Sequence, residues 1–302
     1  MKKATPRVSV IMRTKNADWV VGQALAALSS QTFTDFELIV VDSGSTDRTL
    51  DIVRHYPCDL VEISADNYFP GPVLNMAIER AAGEIIVFQN SDVVQLDAGC
   101  LGRLVAAFDD DEVQAAFARQ VPRPEAHAWV RRDYAQSFPA NGMAPPWMTF
   151  SLPFAAMRRS IWRERPFYTD AWASEDSEWG HWARSNGHRI EYVPDAAVMH
   201  SHNYTLRQIF GRRFVEGEAD AFIYKGKATL RSTVTRAIAS SAADILYQLR
   251  GGYAGELPIT PLRRLVYHLA HYKGHRLGER RRAEALHDAG IGQQVVLSRY
   301  ER

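Results

Sequence analysis

The sequence predicts an α/β protein: a doubly wound, mostly parallel sheet followed by a C-terminal helical extension. Three observations predict it. Short, almost continuous apolar runs alternate with helix-spaced segments through the first ninety residues, the pattern of strands buried on both faces. Polar clusters follow successive apolar runs, where such sheets bind ligands. The charge is also segregated: from Lys225 onward there are 14 Lys plus Arg against 6 Asp plus Glu, a net +8, which leaves −7 on the rest of a chain whose net charge is +1.

Val8–Met12 reads as a first buried strand. A helix over Trp19–Ser30 follows, with Val20, Ala24 and Leu28 at helical spacing. Phe36–Val41 is a second strand, closed by the dense loop signal Asp42–Asp47, in which Thr46 or Asp47 can cap the next helix. Asp59–Ile63 is a third strand candidate. Pro72–Ala82 is a helix with proline in its first turn and Gly83 past its end. Glu84–Phe88 is the strongest strand of the chain. The stretch from Asp109 to Asp170 is rich in Pro, Arg and aromatics, and its segment Phe138–Trp147 reads as a functional loop. Ser174–Asn186 reads as a helix, Arg189–Val193 and Ala196–His200 as two short strands, and the chain beyond Thr205 as helical and basic.

Composition narrows the classes. The chain of 302 residues is 46% hydrophobic and 24% charged, ordinary globular values. Two isolated cysteines, Cys58 and Cys100, give no disulfide framework and no zinc spacing, so a reducing compartment is the simpler reading. No run approaches the roughly 18 apolar residues of a membrane span. There is no G-x-G-x-x-G after a strand, no P-loop and no nucleic-acid module.

Four constellations carry chemistry. Gln89-Asn90-Ser91-Asp92 exposes carboxamide and carboxylate oxygens at a strand end, which suits a hard divalent cation; a plain capped turn is the competing reading. Ser174-Glu175-Asp176-Ser177-Glu178 opens a helix, where a fixed carboxylate can serve as general base and where Ser174 can equally be a cap. His200 and His202 alternate along an extended chain, so both imidazoles reach one side and one metal or anion. Asp42 can accept from a base imide or a ribose hydroxyl, or simply close a turn.

Together, these pieces resemble the family-2 glycosyltransferases of the GT-A fold, and most nearly bacterial members related to rhamnosyltransferases. The resemblance rests on Val8–Asn16, Gln31–Asp47, Asn75 with Gly83–Phe88, Ser174–Trp179 and Met199–Arg207, in the family's order, and runs from about Pro6 to Arg213. It implies an inverting transferase that moves a sugar from a UDP- or dTDP-sugar to an acceptor hydroxyl of a glycan or lipid-linked molecule, in bacterial polysaccharide or glycolipid synthesis. Thr14, Lys15 and Asp42 would hold base and ribose, with Asn16, Asn75 and Asn90 counted among the donor contacts. Asp92, with His200 and His202, would hold Mn²⁺ or Mg²⁺ against the pyrophosphate. Asp176 would be the base. Asn90 stands where the family has the first acidic residue of its metal motif, which keeps a catalytically silent sugar-nucleotide or glycan-binding protein open as the alternative. Leu74 stands where many members have arginine, so a phosphate or sugar contact is either missing or supplied by another residue such as Arg13, Arg212 or Arg213.

The expected organisation is a catalytic domain over residues 1–215 and a basic helical extension over 216–302. In the extension, Leu262, Leu265, Val266 and Leu269 share a helical face beside Lys273, Arg276 and Arg280–Arg282. That pattern admits peripheral contact with a membrane surface, packing on the domain or a homodimer. The expected location is the cytoplasm, including the inner face of the cell membrane, with no nucleic-acid partner.

Overall fold

The computed structural model describes residues 5–167, 173–224 and 226–283. In chain order its elements are β1 (Val8–Thr14), α1 (Val21–Ser29), β2 (Phe36–Asp42), α2 (Thr49–Val53), β3 (Asp59–Glu62), α3 (Pro70–Arg80), β4 (Ile85–Asn90), β5 (Val94–Gln95), α4 (Cys100–Ala106), β6 (Val113–Val121), α5 (Ala128–Ser137), β7 (Phe154–Arg158), α6 (Arg159–Glu164), α7 (Glu175–Ser185), β8 (Arg189–Met199), α8 (Leu206–Ile223), α9 (Leu230–Gly251) and α10 (Thr260–Ala283). They form two compact units. The first takes Met1–Val121, Ala135–Tyr168 and Asp176–His200; the second takes Pro122–Tyr134, Thr169–Glu175 and Ser201–Arg302. The boundary expected near residue 215 falls inside the continuous helix α8.

The first unit is an eight-stranded sheet ordered β3-β2-β1-β4-β7-β6-β8-β5. The strands β1 to β4 run parallel, β7 runs antiparallel to β4 and to β6, and β8 runs parallel to β6. Val8, Val10 and Met12 of β1 face one side and Ile11 the other, and all four are buried. That explains why the strand is apolar throughout rather than alternating. On the first face they meet Val21, Leu25 and Leu28 of α1 and Leu101 and Leu104 of α4. Aromatic residues cover the second face: Phe88 meets Phe167 edge-on at 5.6 Å, and Phe150 packs on the fully buried Trp179 at 5.2 Å. A buried tryptophan of this kind stabilises by about 3 kcal/mol through area alone.

Three strands were not visible in the sequence: the two-residue β5 at the sheet edge, and β6 and β7. β6 and β7 occupy the centre of the sheet, yet they lie in the stretch read as loop-rich. Their cores are Ala115-Ala116-Phe117-Ala118 and Ala155-Ala156-Met157, in which only Phe117 has a strand preference of its own. Small side chains suit a position pressed between neighbouring layers, so tertiary packing overrides propensity there. The two short strands expected over 189–200 are one long strand, β8, whose pairing with β6 shifts register between Ala118 and Arg119.

The second unit is helical. Thr205 and Gln208 cap α8 reciprocally, and Gly252 ends α9 in the left-handed region at φ 76°. The helices α8 and α10 cross at glycines: a Cβ on Gly217 would strike the backbone of His271, and one on Gly274 the backbone of Phe214. The amphipathic face expected on α10 is partly reversed. Leu262 and Leu265 are exposed, whereas Arg263, Arg264 and Arg281 are buried. Each buried arginine meets an acid: Arg263 pairs with Glu256 and Arg281 with Glu218, while Asp244 of α9 accepts from Arg264 Nε at 2.6 Å and from Arg132 at 2.9 Å, and Arg264 also donates to Asp133 at 2.7 Å. Among the described residues no helix is long and apolar enough to cross a membrane.

Candidate active site at one edge of the sheet

The strand directions decide where chemistry gathers. With β7 reversed, the C-terminal ends of β1, β2, β4, β6 and β8 and the start of β7 all lie at one edge of the first unit. The sequence-predicted residues of the first unit sit at those ends or in the segments that follow them, except Asn75 within α3 and Asp176 within α7.

The tails of β1 and β2 are tied into one platform. Asn16, in the left-handed region at φ 46°, accepts the Thr46 amide on its side-chain oxygen at 2.8 Å, and its own amide donates to Ser45 Oγ at 2.9 Å. Asp42 is fully buried; its carboxylate accepts the Gly44 and Ser45 amides at 2.9 and 2.8 Å and the Ser45 hydroxyl at 2.5 Å. Asn16 and Asp42 therefore shape the loops first, through the Asx turn their residue types favour. Thr14 ends β1 with a buried hydroxyl that has no protein partner, a polar group for which a ligand would be the natural complement. Lys15 follows it, half-buried.

Asn75 is more committed than the sequence suggested. It accepts from Trp162 Nε1 and the Phe167 amide and donates to the Phe167 carbonyl, each at 2.9 Å. It clamps the segment carrying Phe167 and keeps one amide hydrogen for anything else. Leu74 beside it is buried in the core. Arg13 donates to the Tyr68 hydroxyl at 3.3 Å, while Arg212 and Arg213 pair with Glu216 in the second unit.

The metal candidates come together. Asn90 ends β4, its amide bonded to the Pro153 carbonyl at 3.0 Å. Asp92 lies just past it, 3.6 Å from His200 Nε2. His200 extends the β6–β8 ladder by donating its amide to Val121. His202 is two residues further on, so chain connectivity holds it nearby. Asp92, His200 and His202 each offer a ligand atom within 4.8 Å of the others. The other ring nitrogen of His200 meets Gln120 Oε1 at 2.7 Å, and Gln120 in turn donates to Ser151 Oγ at 2.8 Å. A carboxamide oxygen accepts only, so His200 Nδ1 carries a hydrogen and Nε2 is the nitrogen that faces Asp92. Sequence reading missed Gln120 and Ser151; the polar pair Arg119-Gln120 after the alanine-rich run of β6 was the available signal.

Asp176 lies in the first turn of α7. Its Oδ2 accepts the Leu152 amide at 3.2 Å, just before β7. That approach needs Gly180, where a Cβ would come within 2.7 Å of Thr149 Oγ1. Ser174 takes the left-handed backbone at φ 64° rather than the extended form of a capping residue. The cysteines stay outside the chemistry: burial pushes the Cys100 thiol up to about 12, and the half-buried Cys58 is raised as well.

Comparison with known proteins agrees with this architecture. The O-antigen chain rhamnosyltransferase RfbN of Salmonella typhimurium is 28% identical over 224 residues, which cover 70% of this chain and 71% of that protein. The mannosyltransferase PcManGT of Pyrobaculum calidifontis, solved with GDP-Man and Mn²⁺, superposes with a TM-score of 0.63 at 23% identity, covering 91% of this chain and 88% of that one. Glucosyl-3-phosphoglycerate synthase of Mycobacterium tuberculosis, solved with Mn²⁺, UDP and phosphoglyceric acid, gives 0.54 at 17% identity over 72% and 79%. These neighbours share the GT-A fold. The model of glycosyl transferase family 2 matches residues 9–166, and the chain belongs to that family.

Proposed function

We propose that the chain is a divalent-metal-dependent, inverting glycosyltransferase that takes its sugar from a UDP- or dTDP-sugar and builds a bacterial polysaccharide or glycolipid. The observation that carries this reading is the convergence of Asp92, His200 and His202 at the edge where β1, β2 and β4 end. The rhamnosyltransferase relative supports the biosynthetic setting, and the Mn²⁺, UDP and GDP-Man of the structural neighbours support the donor class.

The donor set fits a metal. One carboxylate and two imidazoles suit a first-row ion such as Mn²⁺ better than the all-oxygen preference of Mg²⁺. The 3.6 Å between Asp92 and His200 is close to the roughly 3 Å between neighbouring ligands of an ion held at about 2.1 Å. When bound, the metal supplies charge neutralisation for the departing diphosphate. The remaining work falls to the chain. Thr14 and Lys15 orient the nucleoside, and Asn16 and the buried Asp42 hold the loops beneath it. Asp176 takes the proton of the acceptor hydroxyl. That oxygen attacks the anomeric carbon opposite the diphosphate, the bond to the diphosphate breaks, and the anomeric configuration inverts.

Thermal unfolding with UDP, dTDP and GDP, each with and without Mn²⁺, tests the donor site. A nucleotide at about 100 times its dissociation constant should add roughly 2.7 kcal/mol, and the increment should need the metal. Asp176→Asn should keep that shift and lower kcat by about 10²–10⁴. Undiminished transfer by Asp176→Asn would remove it as the base. A metal-dependent shift without turnover would favour the silent binding protein, the reading supported by Asn90 in the position of an acidic ligand.

A further inference from the structure

The helix α9 is inside out. Its buried positions are Thr233, Ala237, Ser241, Asp244 and Gln248, while Leu230, Val234, Ile238, Leu246 and Leu249 are exposed, Ile238 at 65% and Leu249 at 60%. The buried stripe is polar because it serves the Asp244 network and the bond between Gln248 and Thr260. The apolar residues have turned outward as a consequence. Leu262 and Leu265 at the start of α10 are exposed too. The Gln248–Thr260 bond sets them at the same end of the hairpin as Leu246 and Leu249. A run of this length is more than the scattered exposed leucines of an ordinary surface.

Charge identifies what covers this face. The exposed surface of α9 carries Arg231, Arg236 and Arg250, and its single acid, Asp244, is completely buried. A second copy docked through a two-fold axis would set this cationic face against itself with no acid on it to receive the arginines. An anionic lipid surface meets both features at once. Arginines reach the headgroups while isoleucine and leucines enter the acyl boundary, as in helices that lie in the interface plane. At 22 residues, α9 is about 33 Å long.

We infer that the outer face of α9, extended by Leu262 and Leu265, docks the protein on a membrane surface of anionic phospholipid. The inference stands apart from the reading of the metal site.

The test is co-sedimentation of the full chain with vesicles of phosphatidylcholine alone and of phosphatidylcholine with one-third phosphatidylglycerol. Binding should require the anionic lipid. Arg231→Gln and Arg236→Gln should each weaken it about fivefold, and Ile238→Asp with Leu249→Asp should abolish it. Circular dichroism and thermal midpoint should not change, because these side chains are exposed. Equal pelleting of parent and Ile238→Asp/Leu249→Asp, or no pelleting with either vesicle, would overturn the inference. So would a lipid-free dimer, seen by sedimentation velocity, that Ile238→Asp splits, since the face would then belong to a second copy.

Discussion

Gln120 decides which nitrogen of His200 faces Asp92. Its carboxamide is held by Ser151, so its oxygen takes the Nδ1 hydrogen and leaves Nε2 facing Asp92. Replacing Gln120 with leucine should lower Mn²⁺ affinity about 10- to 100-fold, the usual cost of losing a partner behind a metal-binding histidine. Titration of Mn²⁺ followed by electron paramagnetic resonance measures it, and an unchanged affinity would leave Gln120 with a packing role only. The grouping of Asp92, His200 and His202 was legible because they sit beside strong strand signals. The commitments of Asn75 to Trp162 and Phe167 were not, since those partners lie 87 and 92 residues away. Sequence reading sees a residue type and its neighbours, not what the fold brings against it.

Among elements, α5, α9 and α10 are joined by Asp244, which has no exposed surface and two arginine partners. Arg264 answers with a pKa held far above its ordinary value; burial opposes its charge, and hydrogen bonds to Asp244 and Asp133 outweigh that. Asp244→Ala leaves Arg132 and Arg264 facing each other without their shared acid. It should cost about 3–5 kcal/mol, read as a lowered midpoint in urea unfolding followed by circular dichroism. A loss under 1 kcal/mol would mean that water replaces the acid freely. Periodicity placed the helices of this region but mistook their inner face. A hydrophobic pattern predicts burial only when no stronger polar network competes for the interior. The alanine-rich β6 and β7 show the same limit, because alanine rather than β-branched residues fills the middle of each.

For the molecule as a whole, pH reaches stability through the helical unit. His268, bonded to Ser240 at 3.0 Å, has its pKa lowered to about 4, first by burial and then by Arg213 and Arg264. The unfolded chain takes up this proton near pH 6.5, and the folded chain resists until about pH 4. Stability from His268 is therefore complete above pH 6.5 and falls as pH drops toward 4, by at most about 3 kcal/mol. His268→Gln should flatten that part of the thermal-midpoint profile relative to the parent; parallel profiles would clear His268. The sheet class was legible from four strong parallel strands. The two central strands, and with them the full strand order, were not.

The reversal of β7 has a consequence for how this architecture diversifies. In an all-parallel sheet, the chain entering a strand arrives at the edge remote from the ligand. Here, the segment that leads into Phe154 arrives at the ligand edge, carrying exposed Met143 and Trp147. Arg184 moors it by donating to the carbonyls of Pro146 and Met148, and the β4–β7 ladder fixes where it must end. Its length and composition can drift without disturbing the register of β1, β2 or β4. That segment can therefore change the chemistry presented at this edge while the paired strands beside it keep their places.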